Sequence, residues 1–597
     1  MSDRAAPYAP VSIADRGHWA AVARAPHLAP LIDHVEQLCA RTEPMPPTLR
    51  ASDFLAARTG DRGRSDHVWM ERVKLGALAF RRCVRGLDPA DRDDRLLDWL
   101  WAYLSAPTWV AAAHIADHDL PSAAYVKPDL AACEMAATLA ELREVMKPWM
   151  DSFSSTLADS IITEIDRKVL TPYGDGAYVH WQSPTSVMSN WVGVCAGSIL
   201  IACESLAAQG FPRPKARARA LEGVNIFFEQ SFTPHGECDE GVMYWNYGMV
   251  NACSAAMRLP RGDFTALVDQ RRFAQVASYP QRAHLFDNVF FSGNDSGLRA
   301  GAPMSIVPWL AEGVCPWLAD WARNAPIFGG TFPHLLRTSM HAPLRSAAPE
   351  PARDAAVSMA FLEDQQVAIV RAPTPRGDLT VCLTGGTNDE RHNHNDLGHF
   401  IVALGDELIV PDLGAPHYRT EFFSDRRYTF LSASSRGHCC PIVGGHEQRA
   451  GAEAAGHVVT RRVDADSAEY ELELGSAYPV EAGLRSWRRS LTVARHGSDA
   501  RLSITDRFAG RAEDTIVEVI WSLRPFERIA SDTEPTFRLG SIILRLAAPP
   551  VDLQLSEVSS KAEMLREYPD QTLHVLSATY RTDSEGRLVA GFGFTFG

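Results

Sequence analysis

Two histidines and an aspartate alternate through the run His392-Asn393-His394-Asn395-Asp396, and an apolar segment, 407–410, then delivers Asp412. In an extended strand alternate residues leave on one face, so the pattern predicts His392, His394 and Asp396 side by side. With His438 the set becomes His392, His394, Asp412 and His438. Imidazole and carboxylate donors suit zinc or another borderline first-row ion, or acid–base work, and three protein ligands leave room for water. The duller reading is a group of polar residues satisfied by backbone in turns.

Three other stretches carry candidate chemistry. Segment 236–250, GECDEGVMYWNYGMV, sets Glu237, Asp239 and Glu240 ahead of Tyr244, Trp245 and Tyr247. Acidic residues at a helix start complement its dipole, and aromatics at three-residue spacing fit a core stripe. The same aromatics, apolar on the face and polar at the tip, also suit stacking on sugar rings. Asn190-Trp191 opens an apolar helix, where Asn is a good N-cap or an amide donor for a substrate carboxylate. The loop FSGNDSGLRAG, 291–301, offers Asn294, Asp295 and Arg299 to a pocket, or is simply a turn. Its glycosylation sequon at Asn294 is discounted for want of a secretion signal. The sequence has no glycine-rich phosphate loop with Lys, no GxSxG elbow and no HExxH helix, so nucleotide, serine-hydrolase and zincin chemistry find no support.

The elements that must position these groups fall into two textures. Up to about residue 340, segments 96–115, 129–150, 151–170, 190–208 and 215–232 carry apolar residues at helical spacing, punctuated by Pro148, Pro172, Gly174, Gly210, Pro212 and Pro214. Successive amphipathic helices predict a helical solenoid or closed toroid, with a plain bundle as the bland alternative. The stretch 341–356, rich in Ala and Pro, reads as a linker. From 357 to 597 the period moves toward two in short β-branched runs broken by Gly, Asp and Ser, which predicts an antiparallel sheet stack or sandwich.

Composition narrows the function classes. A chain of 597 residues is long for one core. Its 46% hydrophobic and 22% charged content is that of an ordinary globular protein, and a net charge of −14 argues against a nucleic-acid partner. With no run of about 18 apolar residues and no apolar leader, neither a membrane span nor export is expected, which points to the cytoplasm, or to the periplasm had a leader been removed. Eleven cysteines, an odd number mostly in apolar segments, fit reduced buried thiols better than a disulfide framework, and the neighbours Cys439 and Cys440 point opposite ways in an extended chain.

Taken together, the helical part, the β part and HNHNDLGHFIVALGDELIVPDLG resemble the heparinase II/III-like superfamily of polysaccharide lyases. Asn190-Trp191 at a helix head and the E-G-x-x-Y-W-x-Y segment from Glu240 add two matches in the same order. The resemblance implies an N-terminal incomplete (α/α) toroid followed by a C-terminal antiparallel β-sandwich. By position it gives Tyr244 as catalytic base and acid, with Tyr247 as the alternative phenol, and Asn190 and His392 at the substrate carboxylate. It gives His394, Asp412 and His438 as ligands of a structural divalent metal, zinc by donor type. His438 is followed here by Cys439-Cys440 where the family often has Asn. Trp191, Glu240, Trp245, Tyr247, Asn294, Arg299 and Arg436 are then candidates for substrate contact. The implied activity is β-elimination on an acidic oligo- or polysaccharide containing uronate, a carbon–oxygen lyase reaction. A uronyl C5-epimerase or a non-catalytic glycan-binding protein are the alternatives, and a homo-oligomer is left open.

Overall fold

A computed structural model describes residues 8–43, 46, 48–58, 61–86, 93–115, 120, 127–183, 189–291, 293–340, 356–531 and 534–596. The expected linker 341–356 lies outside these apart from its last residue, as does 184–188 of the loop before Asn190. The architecture is a helical region followed by antiparallel β-sheets. By compactness the chain forms two units: Met1–Phe232 with Tyr244–Ser278 and Gly301–Ala348, and Thr233–Met243 with Tyr279–Ala300 and Pro349–Gly597. Two segments that precede residue 340 therefore belong with the β-sheets.

In the helical unit, Asp129 caps the helix Leu130–Asp151 by accepting from the Ala132 N–H at 2.9 Å, and Pro148 sits inside the last turn instead of ending it. The helix expected over 96–115 runs only from Asp94 to Ser105, stopped ahead of Pro107, and a short turn, Ala112–His114, follows. The segment 151–170 resolves into a helix, Leu157–Ile165, and a wide turn, Asp166–Leu170. Asn190–Ala208 is long and apolar enough to cross a membrane by length and composition, although the sequence holds no unbroken apolar run of about 18 residues. Most of it is buried against Leu130–Asp151 and Pro214–Gln230, the position of a core helix.

The helix Val242–Ala256 packs beside it through Gly248. A Cβ there would lie 2.7 Å from the Phe227 ring and 3.5 Å from the Asn190 Cα, so only glycine allows this approach.

In the β unit, five antiparallel strands run in sequence order, Ser358–Leu362, Val367–Thr374, Gly377–Leu383, Phe400–Leu404 and Glu407–Val410. Val367–Thr374 packs on Ser486–His496 and Asp499–Ala509 of an eight-stranded sheet, and Glu407–Val410 on Thr515–Ser522 of a four-stranded one. Asp499–Ala509 alternates buried and exposed residues, the signature of a strand with one face on a core. Glu237, read above as an acidic helix-start residue, instead ties its segment to the sheets. Its buried carboxylate accepts from the N–H groups of Glu363 (2.6 Å), Asp364 (3.1 Å) and Gln365 (3.1 Å) and from Arg282 (3.1 Å). All eleven cysteines are buried.

Candidate functional site

The run His392–Asp396 is a loop, not the extended strand its alternation predicted; the nearest strands are Thr387–Asn388 and Phe400–Leu404. His392 has φ +59°, a left-handed conformation that non-glycine residues rarely adopt, so adjacent side chains are not bound to a period of two. Surrounding contacts hold it there, as strained backbone at functional sites requires. Arg427 donates to the carbonyls of His392 (2.6 Å) and Asn393 (2.8 Å), with its guanidinium over the Phe422 ring.

Asp295 is the hub of this loop. One carboxylate oxygen lies 2.7 Å from His392 Nδ1; the other lies 3.0 Å from His394 Nε2 and accepts from Arg427 at 2.7 Å. Burial opposes its charge, but these donors outweigh burial and hold the carboxyl well below the usual range. His392 is a quarter exposed, and its Nε2 is 3.6 Å from Glu240 Oε1. Glu240 follows Asp239, which binds Arg391 bidentately. Gly241, at φ +87°, has no room for a Cβ, which would fall 2.3 Å from that of Ser296.

Beyond Asp295 lies a fully buried group. Ligand-competent atoms of Asp396, Asp412 and His438 lie within 4.8 Å of one another. Hydrogen bonds assign the imidazole protons. His438 Nδ1 faces the Ser434 carbonyl at 2.9 Å, which can only accept, so Nδ1 carries the proton and Nε2 keeps its lone pair. That Nε2 has no hydrogen-bond partner among the described residues and points at Asp412 Oδ2 (3.6 Å) and Asp396 Oδ2 (4.0 Å). His394 donates its Nε2–H to Asp295, which leaves a buried Nδ1 with no partner among the described residues, and its ring is 5.4 Å from that of His438. His399 is the opposite case: its Nδ1 accepts from the Cys439 N–H at 3.0 Å, so its Nε2–H faces Asp412 Oδ2 at 3.4 Å.

Burial pushes His438 down to about 4, favouring the neutral ligand form. Burial and the Asp412 and Glu390 charges push Asp396 well up. Lone pairs and carboxylates converging without a cation of their own fit a divalent metal, each imidazole oriented by its other nitrogen. Asp396 completes the tightest group, with His394 beside it.

The other sequence candidates separate. Asn190 is buried and is not the N-cap: Ser189 caps the helix, accepting from the Trp191 N–H at 3.3 Å. Trp191 is half-buried, with His114 and His180 edge-on to it. Tyr244 is half-buried. Trp245 is wholly buried and its indole N–H donates to the Val276 carbonyl at 2.7 Å, so its ring belongs to the helical core and offers no stacking face. Tyr247 donates to Glu134 at 2.9 Å and accepts from Arg72 at 3.2 Å; burial, then Glu134, push its phenol well up. Asn294 is consumed internally. Its amide donates to the Asp239 carbonyl and Glu390 (2.8 Å each) and accepts from the His394 N–H at 3.1 Å. Arg299 is exposed, and Arg436, also exposed, pairs with Glu447 at 2.9 Å.

The fold is that of heparinase-type polysaccharide lyases. The structure matches that of heparinase III with TM-score 0.60 and 12% identity, covering 87% of this chain and 75% of that one. It matches heparan sulfate lyase HepC from Pedobacter heparinus with TM-score 0.58 and 12% identity, covering 94% and 82%. For a chondroitin AC lyase of Streptomyces coelicolor A3 the values are 0.50 and 11%, covering 97% and 82%. Residues 358–579 match the family model "Heparinase II/III-like, C-terminal", as the resemblance in the sequence led one to expect. No curated protein matches the chain.

Proposed function

We propose that this protein is a lyase that cleaves uronate-containing glycans by β-elimination. The observation that carries the reading is the close approach, within the helical unit, of Gly248 in the helix Val242–Ala256 to the first residue of Asn190–Ala208. Tyr244 and Gly248 are four residues apart and share a helix face, and Gly248 abuts the backbone of Asn190. Tyr244 therefore lies one helical turn from the point where the two helices meet, and the cap of the second helix is Ser189.

In this reading Tyr244, as phenolate, takes the C5 proton, the C5–H electron pair forms the C4–C5 double bond, the C4–O4 bond breaks with its pair on O4, and the phenol so formed gives the proton to O4. The substrate carboxylate makes C5 a poor acid, so charge at that carboxylate must be neutralised. Asn190 supplies an N–H. His392 has the carboxylate-facing role that the resemblance assigns to it, and its Nδ1 is turned to Asp295, which leaves Nε2 for that role. Each such donor in a water-poor site is worth about 3 kcal/mol. Tyr247 suits the base role poorly, because its oxygen is committed to Glu134 and Arg72. A divalent ion held by Asp396, Asp412 and His438, with His394, would neutralise buried carboxylates and pin the loop that carries His392.

The test is ultraviolet absorbance during incubation with glucuronate-, mannuronate- and guluronate-containing glycans, sulfated and not. Growth of the unsaturated-uronate band with wild type and Tyr247→Phe, and its loss by at least about 10³-fold in Tyr244→Phe, is expected. A flat trace for the metal-loaded wild type across the panel would sink the lyase reading.

A further inference from the structure

Asp295 lies outside the family-model segment, and roughly a hundred residues separate it in sequence from the histidines it serves. Its two oxygens do different work: Oδ2 meets only His392 Nδ1 among the hydrogen bonds above, whereas Oδ1 meets both His394 Nε2 and the Arg427 guanidinium. A carboxylate accepts and cannot donate, so both facing ring nitrogens must carry protons. The remaining nitrogens are thereby defined, Nε2 of the quarter-exposed His392 on the side of Glu240 and Nδ1 of His394 buried and without a partner among the described residues.

We propose that Asp295 is a positioning residue that sets the proton arrangement of both histidines at once, so that one side chain readies His394 as a metal ligand and His392 as a substrate-facing group. The turnover part of this inference rests on the lyase reading; the metal part does not.

The asymmetry of the two oxygens makes the inference testable by an isosteric change. In Asp295→Asn the amide oxygen must face Arg427, which can only donate, and His394 keeps its Nε2 hydrogen bond. The amide NH2 then faces His392 Nδ1, forcing that nitrogen to become an acceptor and removing the charge that balances the ring. The expected result is zinc affinity within about threefold of wild type, by chelator competition, and a fall of about 10²-fold in kcat with KM little changed. In Asp295→Ala, His394 loses its orienting partner as well, and zinc affinity falls by about 10- to 100-fold.

Wild-type zinc affinity in Asp295→Ala, or loss of zinc in Asp295→Asn with its folded circular-dichroism spectrum intact, overturns the proposal. So does wild-type kcat in Asp295→Asn. Should wild type turn over no uronate glycan, the lyase reading fails, and the zinc titrations of the two variants still decide the role of Asp295.

Discussion

Two clusters of buried charge stand close together in the β unit and are built on opposite plans. In one, Arg489 donates to Asp506 through Nε and Nη2 (2.8 Å each), to Glu518 at 3.1 Å, and to the carbonyls of Gly398 (2.7 Å) and Cys439. Trp487 adds a 2.6 Å bond to Asp506. Burial, then Asp506, push Glu518 well up, and the cluster carries its own cation, the Arg489 guanidinium, bonded to both acids. The other cluster, Asp396, Asp412, His394 and His438, contains acceptors and, among the described residues, no side-chain cation. A buried network tolerates charge when it is closed internally, and selects a cation when it is not. The two are also connected: Gly398 lies between Asp396 and His399, and Cys439 follows His438, so the closed cluster holds the loops of the open one.

The comparison can be broken most forcefully at Arg489. Arg489→Met strands two buried acids and should cost about 3–5 kcal/mol in denaturant unfolding. It should also weaken zinc binding, because both ligand loops lose their common anchor; unchanged zinc affinity would uncouple the clusters. His438→Ala acts on the open cluster. It should abolish stoichiometric zinc by elemental analysis and remove the stabilisation of about 2.7 kcal/mol that zinc at a hundredfold excess over Kd gives the wild type.

Glu390, pushed up to about 8 by burial and then by Asp239, sharpens the contrast at a smaller scale. Its raised value means the folded protein holds a proton that the unfolded chain releases. The stability this gives is complete below the ordinary carboxylate range and is lost as pH rises through about 8. Glu390→Gln should therefore melt a few degrees higher than wild type at pH 8.5 and no higher at pH 4.5. Smallest of all is the exposed Arg436–Glu447 pair, where Arg436→Ala should change unfolding free energy by about 1 kcal/mol or less. A raised KM in that variant would mark Arg436 as a substrate contact.

The order of helices and strands was legible because periodicity is local: Asn190–Ala208 and Glu407–Val410 match their expected bounds. His392, His394, Asp412 and His438 stood out by residue type. Their arrangement did not, because a left-handed residue at His392 and a guanidinium at Arg427 make a loop where alternation implied a strand. Asp295 was visible only as one polar residue in a glycine-rich turn, and Arg427, Arg489 and His399 carried no signal beyond their residue type. Their roles come from partners tens to hundreds of residues away, which no local pattern records. Trp245 and Asn294 illustrate the converse, residues of suggestive type that the fold spends on its own interior.

The assignment of Thr233–Met243 and Tyr279–Ala300 to the β unit has a consequence for how the protein is made. Asp295 leaves the ribosome well before His438. At about 5–20 residues per second the interval is roughly 7–30 s. During that time a carboxylate destined for burial, and the glutamate that will gather the 363–365 turn, wait in solvent for strands not yet synthesised. Assembly of the Asp295 cluster therefore waits for synthesis to pass His438. A fragment starting at residue 357 would present the ligands of the open cluster without the side chain that turns His394 toward them.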